Sequence, residues 1–253
     1  MLVVKCFYME MNKILQNSIA LLGPKQVGKS FFSEHLIEEP NTPDFVFSSD
    51  LLTNLLIFDI SGNWHDVVET SELKEIGDNY KSVFKFSELR PIVESLATCQ
   101  QSTQLDNKSR KVAMGYWKAR LLEDATQMIN KPYILDAGAD IGAIINLSDE
   151  QKKAVSNFLF MPFEFIEDRM PNFLKQFGSA IYLRPEPSYK TLQGRARDDE
   201  NAIYLESGKS YLPYATHIAE CNDIYHTGKP KEIAVKSVIK SLRLGQTQSS
   251  LGE

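Results

Sequence analysis

Short apolar runs closed by glycine or aspartate alternate along this chain with longer stretches of helical periodicity. Residues 17–23 (NSIALLG) are an apolar run ending in Gly23, which predicts a buried strand. Residues 29–39 (KSFFSEHLIEE) follow as a helix that Pro40 stops, and residues 43–50 (PDFVFSSD) read as a second short strand. Residues 51–80 are mostly helical in pattern. Residues 89–99 (LRPIVESLATC) form another helix, with Pro91 expected in the first turn, where a missing N–H is harmless. Residues 132–138 (PYILDAG) predict a strand with Asp136 at its carboxyl end, and 179–184 (SAIYLR) a fourth. A helix running into a charged loop is expected over 188–199, a last short strand over 223–228 (DIYHTG) and a final amphipathic helix over 230–244. Strands separated by helices predict an α/β fold with a parallel sheet between two helical layers, a three-layer sandwich.

The pattern also marks two additions to one domain that otherwise spans 1–253. Residues 98–130 begin polar and glutamine-rich (CQQSTQLDNKSRK) and turn helical from 113 onwards; residues 143–168 include the aromatic stretch NFLFMPFEFIED. They read as peripheral helices packing their own apolar stripes, or else as a substrate lid or a surface for a protein partner. The tail 245–253 (GQTQSSLGE) is polar and expected to be disordered.

Composition narrows the setting. The 253 residues carry a net charge of -5, which argues against a nucleic-acid backbone as the main partner. Cys6, Cys99 and Cys221 are three, far apart and without a CxxC, so neither a disulfide framework nor a zinc knuckle is expected, and a reducing cytoplasmic setting fits. His35, His65, His217 and His226 show no metal-ligand spacing. No stretch reaches the length of a membrane span, and the opening apolar run is too short for a secretory leader.

The chemistry concentrates at residues 21–30, LLGPKQVGKS. Gly23-Pro24-Lys25-Gln26-Val27-Gly28-Lys29-Ser30 fits G-x-x-x-x-G-K-[ST] in full, after a predicted strand and before a predicted helix. Glycines let the chain wrap phosphates closely, and backbone N–H groups with a helix N-terminus supply positive charge. Lys29 can reach the β- and γ-phosphates, and the Ser30 hydroxyl can ligate Mg²⁺. Two carboxylates close apolar strands on the same carboxyl edge, Asp136 and Asp50. Each is a candidate for the metal or the acceptor, or a cap of the following helix.

Taken in order, these stretches resemble the shikimate kinase family of the nucleoside-monophosphate-kinase type of P-loop fold. The loop resembles the family's LxGxxGxGKS, and FVFSSDLLTNLL its FxDxDxxIE with Asp50 at the second Asp. Gly77-Asp78 with FKFSE (84–88) resembles GExxFRxxE, and YILDAGAD lies where the GGG strand end falls. PNFLKQFGSAIYL, LQGRARD and YLPYATHIAECNDIY follow at matching places. The resemblance implies a kinase that moves the γ-phosphoryl of ATP, with Mg²⁺, to a hydroxyl of a small polyol acid such as shikimate. It implies ATP contacts at Gly23, Lys25, Gln26, Val27, Gly28, Lys29, Ser30 and Phe31, and at Arg197 in a lid, with Mg²⁺ at Ser30 and Asp136. It implies acceptor contacts at Asp50, which would hold the reacting hydroxyl and help remove its proton, and at Lys85, Gly138 and Lys209. Lys29 and Asp50 would carry the chemistry. The chain departs from the family at Ser48, where the first Asp of DxD stands, at Lys85 for an arginine, at Ala137-Gly138-Ala139 for three glycines and at Asn201 in the lid.

A second reading is a nucleotide-binding regulatory or interaction protein that has lost the transfer reaction. A third is a kinase of nucleotides or nucleic-acid ends, for which Lys108, Arg110, Lys111, Lys118 and Arg120 supply a basic stretch. That stretch reads more simply as a solvated helix face.

Overall fold

A computed structural model describes residues 13–23, 27, 29–38, 42–61, 71–137, 145–185 and 209–221. Contacts divide the chain into two compact units. The first comprises Met1–Phe47, Pro132–Asp140 and Leu174–Glu253, and the second Ser48–Lys131 and Ile141–Phe173. Both segments expected as additions fall within the second unit.

The first unit is built on strands β1 (Ile19–Leu22), β2 (Val46–Ser48, whose last residue is counted with the second unit), β3 (Ile134–Asp136), β4 (Ser179–Pro185) and β5 (His217–Cys221). Their order is β2-β3-β1-β4-β5 in one sheet. The pairings β1–β3, β1–β4 and β4–β5 are parallel. A parallel sheet is apolar along whole strands, and IALL of β1 is buried at every position. Helix α1 (Lys29–Leu36) packs Phe32 and Leu36 into a core with Ile19, Leu21, Val27, Ile134, Ile181, Leu183 and Ala219. Burying one such Leu or Ile side chain stabilises by about 1.5–3 kcal/mol. β1 sits mid-sheet, and Gly23, which follows it, lies at its carboxyl end beside that of β3.

β4 enters the sheet through a close approach of backbones. Gly178 donates its N–H to the Leu15 carbonyl at 3.0 Å. β5 is anchored by Thr216, whose N–H donates to the Ala180 carbonyl (2.8 Å) and whose Oγ1 accepts from Ala180 N–H (2.9 Å). This strand occupies a stretch to which the periodicity assigns no strand; the expected strand 223–228 and the helices expected over 188–199 and 230–244 lie outside the described residues.

His217 on β5 has its proton affinity held below the ordinary value of 6.5 by burial. Unfolded, it takes up a proton as pH falls through 6.5; folded, it does so only at lower pH. Its contribution to stability is therefore complete above 6.5 and lost as pH falls from 6.5 to the folded value. Urea midpoints measured between about pH 7 and 5.5 should fall less for His217→Gln than for the parent chain; equal slopes would contradict this.

The second unit is helical: α2 (Ser49–Ser61), α3 (Ser71–Val83), α4 (Phe86–Gln101), α5 (Asn107–Thr126), α6 (Asp149–Leu159) and α7 (Phe163–Leu174, whose last residue is counted with the first unit). Ser48 Oγ accepts from Leu51 N–H at 3.3 Å, so Ser48 caps α2. α4 starts at Phe86, three residues earlier than the pattern suggests. Pro91 is therefore inside the helix rather than in its first turn. α5 begins within the stretch expected to be polar and irregular. Asp106 caps it by accepting from Ser109 N–H at 2.8 Å. Gln151 Nε2 donates to the same carboxylate (2.8 Å), while Gln151 closes a capping box with Ser148 at the start of α6. One glutamine thus ties two helix starts together. Arg169 of α7 lies over the Tyr116 ring, 5.1 Å from its centroid, and pairs with Glu123, pinning α7 to α5.

α6 ends at Phe160, held in the left-handed conformation (φ 54°, ψ 41°) and 94% exposed. A side chain there strains the backbone and is hardly buried. Phe160→Gly is expected to stabilise the chain by about 0.5–1 kcal/mol, after the greater freedom of the unfolded glycine chain is counted. A thermal melt that drops for this variant would contradict it.

Among the described residues, no helix is long and apolar enough to cross a membrane.

Candidate functional site

β1 delivers the chain to Gly23, whose φ of 140° is a conformation that L side chains rarely adopt. A Cβ there would lie 2.7 Å from the Leu183 carbonyl oxygen on β4, so the turn needs glycine for its dihedral and for its space. Val27 is buried in the core of the first unit. α1 then starts at Lys29, and its N-terminal N–H groups have no partners within the helix.

Lys29 is 7% exposed, and its Nζ donates to the Gly23 carbonyl at 3.3 Å. The ammonium therefore folds back onto Gly23 at the end of β1. Burying a cation is unfavourable without compensating partners, and the Gly23 carbonyl is one of those that Lys29 has. Ser30, the next residue of α1, donates from Oγ to Asp136 Oδ2 at 2.8 Å. Asp136 ends β3 and is 7% exposed. Register brings it there: Leu21 of β1 is opposite Asp136, and Ala137 N–H donates to the Leu21 carbonyl at 3.2 Å.

These two oxygens fit one hard cation. Mg²⁺ holds oxygens at about 2.0–2.1 Å in an octahedron, so neighbouring ligands are about 2.9–3.0 Å apart. Ser30 Oγ and Asp136 Oδ2 are close to that spacing. Mg²⁺ commonly takes only one or two protein ligands and completes its shell with water and phosphate. Among the described residues there is no cluster of three or more His, Cys, Asp or Glu that would hold a metal without such help.

The described structure brings together Gly23, Val27, Lys29, Ser30 and Asp136. Phe31 lies in α1. Lys25, Gln26, Gly28, Gly138 and Arg197 lie outside the described residues. Lys209 is exposed in a helical turn of the first unit.

Asp50 and Lys85 belong to the helical unit. Asp50 stands in the first turn of α2, where a carboxylate also suits the helix dipole; its side chain is 57% exposed and lies 3.6 Å from Lys118 Nζ. Lys85 precedes α4, is 70% exposed and pairs with Glu88 at 3.1 Å. It lies on the surface rather than in a recess that would grip a carboxylate. Lys118 corrects the reading of the basic stretch as a solvated face: it is 8% exposed, with Ala119, Leu121 and Leu122 buried beside it. Arg120, by contrast, is on the surface and pairs with Asp124. Nothing in the spacing of charges distinguishes Lys118; the small and apolar residues Gly115, Leu121, Leu122 and Ala125, three, four and seven positions away and so on its own helix face, are the available signal.

The helical unit also has an open groove of about 670 Å³, lined by Cys99, Leu105, Trp117, Phe158 and Phe160 among others. Burial pushes the Cys99 thiol up to about 11, so it is protonated and unreactive at neutral pH.

Comparison with protein-family models, with curated proteins and with solved structures finds no match to this chain.

Proposed function

We propose that this chain is an ATP-dependent kinase of a small-molecule alcohol, on a three-layer P-loop fold of shikimate kinase type. The observation that carries the reading is the Ser30 hydroxyl at 2.8 Å from Asp136, next in sequence to a buried lysine whose Nζ reaches the Gly23 carbonyl. That is the equipment for holding the β- and γ-phosphates of ATP with Mg²⁺. The protein's own part is electrostatic: Lys29 and the start of α1 offset charge on the phosphates, while Ser30 and Asp136 hold the cation. Asp50, by resemblance, orients the acceptor hydroxyl and receives its proton, a role open to an exposed carboxylate.

Asp50→Asn separates the parts. ADP release should be followed with ATP, Mg²⁺ and shikimate or another small hydroxy acid, against a control without acceptor. The variant is expected to keep ATP affinity and lose about 10²–10⁴-fold in acceptor-dependent turnover. Undiminished turnover would remove Asp50 from the reaction.

A second reading has its own support. Lys85 is paired with Glu88 on the surface, and the apolar groove of the helical unit offers a partner surface. A nucleotide-binding interaction protein would bind ATP and phosphorylate no alcohol.

A further inference from the structure

The open groove of the helical unit lies between α4, α5 and α6, wholly inside that unit. Its volume of about 670 Å³ is within the range of about 300–1,000 Å³ that small-molecule sites occupy. α4 brings Ser95, Thr98 and Cys99 to it, α5 brings Trp117, and α6 brings Asn157 and Phe158.

Charge narrows what fits there. Among the described residues that line the groove, none is Asp, Glu, Lys, Arg or His. The Cys99 thiol, pushed up to about 11 by burial, is protonated at neutral pH. Ser95 and Thr98 donate their hydroxyl protons to the Pro91 and Glu94 carbonyls, both at 2.9 Å. Their oxygens keep lone pairs that can accept from a ligand. A charged molecule entering the groove would give up hydration and meet no opposite charge, so the lining is matched to an uncharged one.

The apolar part is aromatic. Trp117 and Phe158 are half-buried, with Leu105 and Leu159 buried beside them. Phe160 lines the same groove while 94% exposed, which places it at the rim. It holds φ 54° and ψ 41° just past the end of α6, a conformation that glycine usually takes at such a cap. A ring kept there strains the backbone and, hardly buried, contributes little to folding. Strain of this kind is retained at ligand clamps, and a flat ring in the groove would cover Phe160 and stack on its neighbours.

We propose that this groove binds an uncharged aromatic small molecule, stacked against Trp117, Phe158 and Phe160 and donating a hydrogen bond to Ser95 or Thr98. Binding needs no nucleotide and is independent of the kinase reading.

Fluorescence titration of the full chain with phenylnaphthylamine, and separately with its sulfonate, reads this directly. The two probes share one ring system and differ by a negative charge. The neutral probe should bind saturably, one per chain, and at least about 10-fold tighter than the sulfonate. Ala154→Trp, which fills the groove from α6, should weaken the neutral probe at least about 10-fold. Phe160→Gly should weaken it about 3- to 10-fold while melting no lower than the parent, so that loss of the fold does not account for the change. Should Ala154→Trp fail to fold, Phe160→Gly decides alone. The proposal is overturned if the parent chain shows no saturable binding, if the sulfonate binds as tightly, or if a folded variant of either kind binds as the parent does. Neutral-probe affinity that falls as chain concentration rises, with dimers seen in sedimentation, would overturn it in favour of a second copy of the chain covering the groove.

Discussion

Asparagine at position 136 is expected to weaken ATP binding about 10- to 100-fold when Mg²⁺ is present and to change it little when the cation is chelated. The range corresponds to losing one charged oxygen ligand, worth about 1.5–3 kcal/mol. The substitution is nearly isosteric, and the amide oxygen can still accept from Ser30 Oγ, now at 2.8 Å from Asp136 Oδ2. A thermal melt of the variant alongside the parent separates loss of the metal ligand from loss of the fold. Equal weakening with and without Mg²⁺ would mean that Asp136 does not touch the cation.

The largest effect on stability is expected from Gly178→Ala. A Cβ at Gly178 would lie 1.8 Å from the Gln16 carbonyl oxygen and 2.7 Å from its carbon. These are backbone atoms that cannot rotate away. Gln16 is further held by its own side chain, whose Nε2 donates to the Gln176 carbonyl at 3.1 Å. The two segments must separate, and the hydrogen bond from Gly178 N–H to Leu15 is lost with the entry of β4 to the sheet. The cost should be about 3–5 kcal/mol, a large part of the total of an ordinary domain. Urea unfolding monitored by circular dichroism checks this; a midpoint within error of the parent would contradict it.

The strands are legible where apolar runs are unbroken and end in a residue with a backbone reason to be there. β1 follows this rule at every position, and β3 and β4 through the apolar residues Ile134-Leu135 and Ala180–Leu183, because strands buried on both faces read as apolar runs. Gly23 is legible as the end of β1 through its loop motif, and the structure adds a second reason in the nearby Leu183 carbonyl. β5 is not legible: HIAEC alternates and has a histidine and a glutamate in five residues, and its place comes from pairing with β4. The start of α4 is obscured because proline prefers a first turn, whereas packing of Phe86 and Leu89 extends the helix before it. The Ser148–Gln151 capping box is readable from its S-x-x-Q spacing, a signal that the apolar pattern alone passes over.

At the candidate site, the G-x-x-x-x-G-K-[ST] spacing is legible in the sequence because each residue type in it has one physical task at a fixed position. The pairing of Ser30 with Asp136, 106 positions apart, shows in the sequence only as two strand ends on one edge, and the register of β1 with β3 makes it a contact. The helical unit is less legible. Charge spacing alone does not tell Lys118, turned inward among Ala119, Leu121 and Leu122, from Arg120, turned outward to Asp124.

The central claim is that the loop from Gly23 to Ser30 holds the phosphates of ATP. Isothermal titration of the full chain with ATP, once in Mg²⁺ and once in chelator, tests it most directly. Saturable binding of one ATP per chain, tightened by Mg²⁺, is the predicted result. No heat of binding up to millimolar ATP in either condition would contradict it.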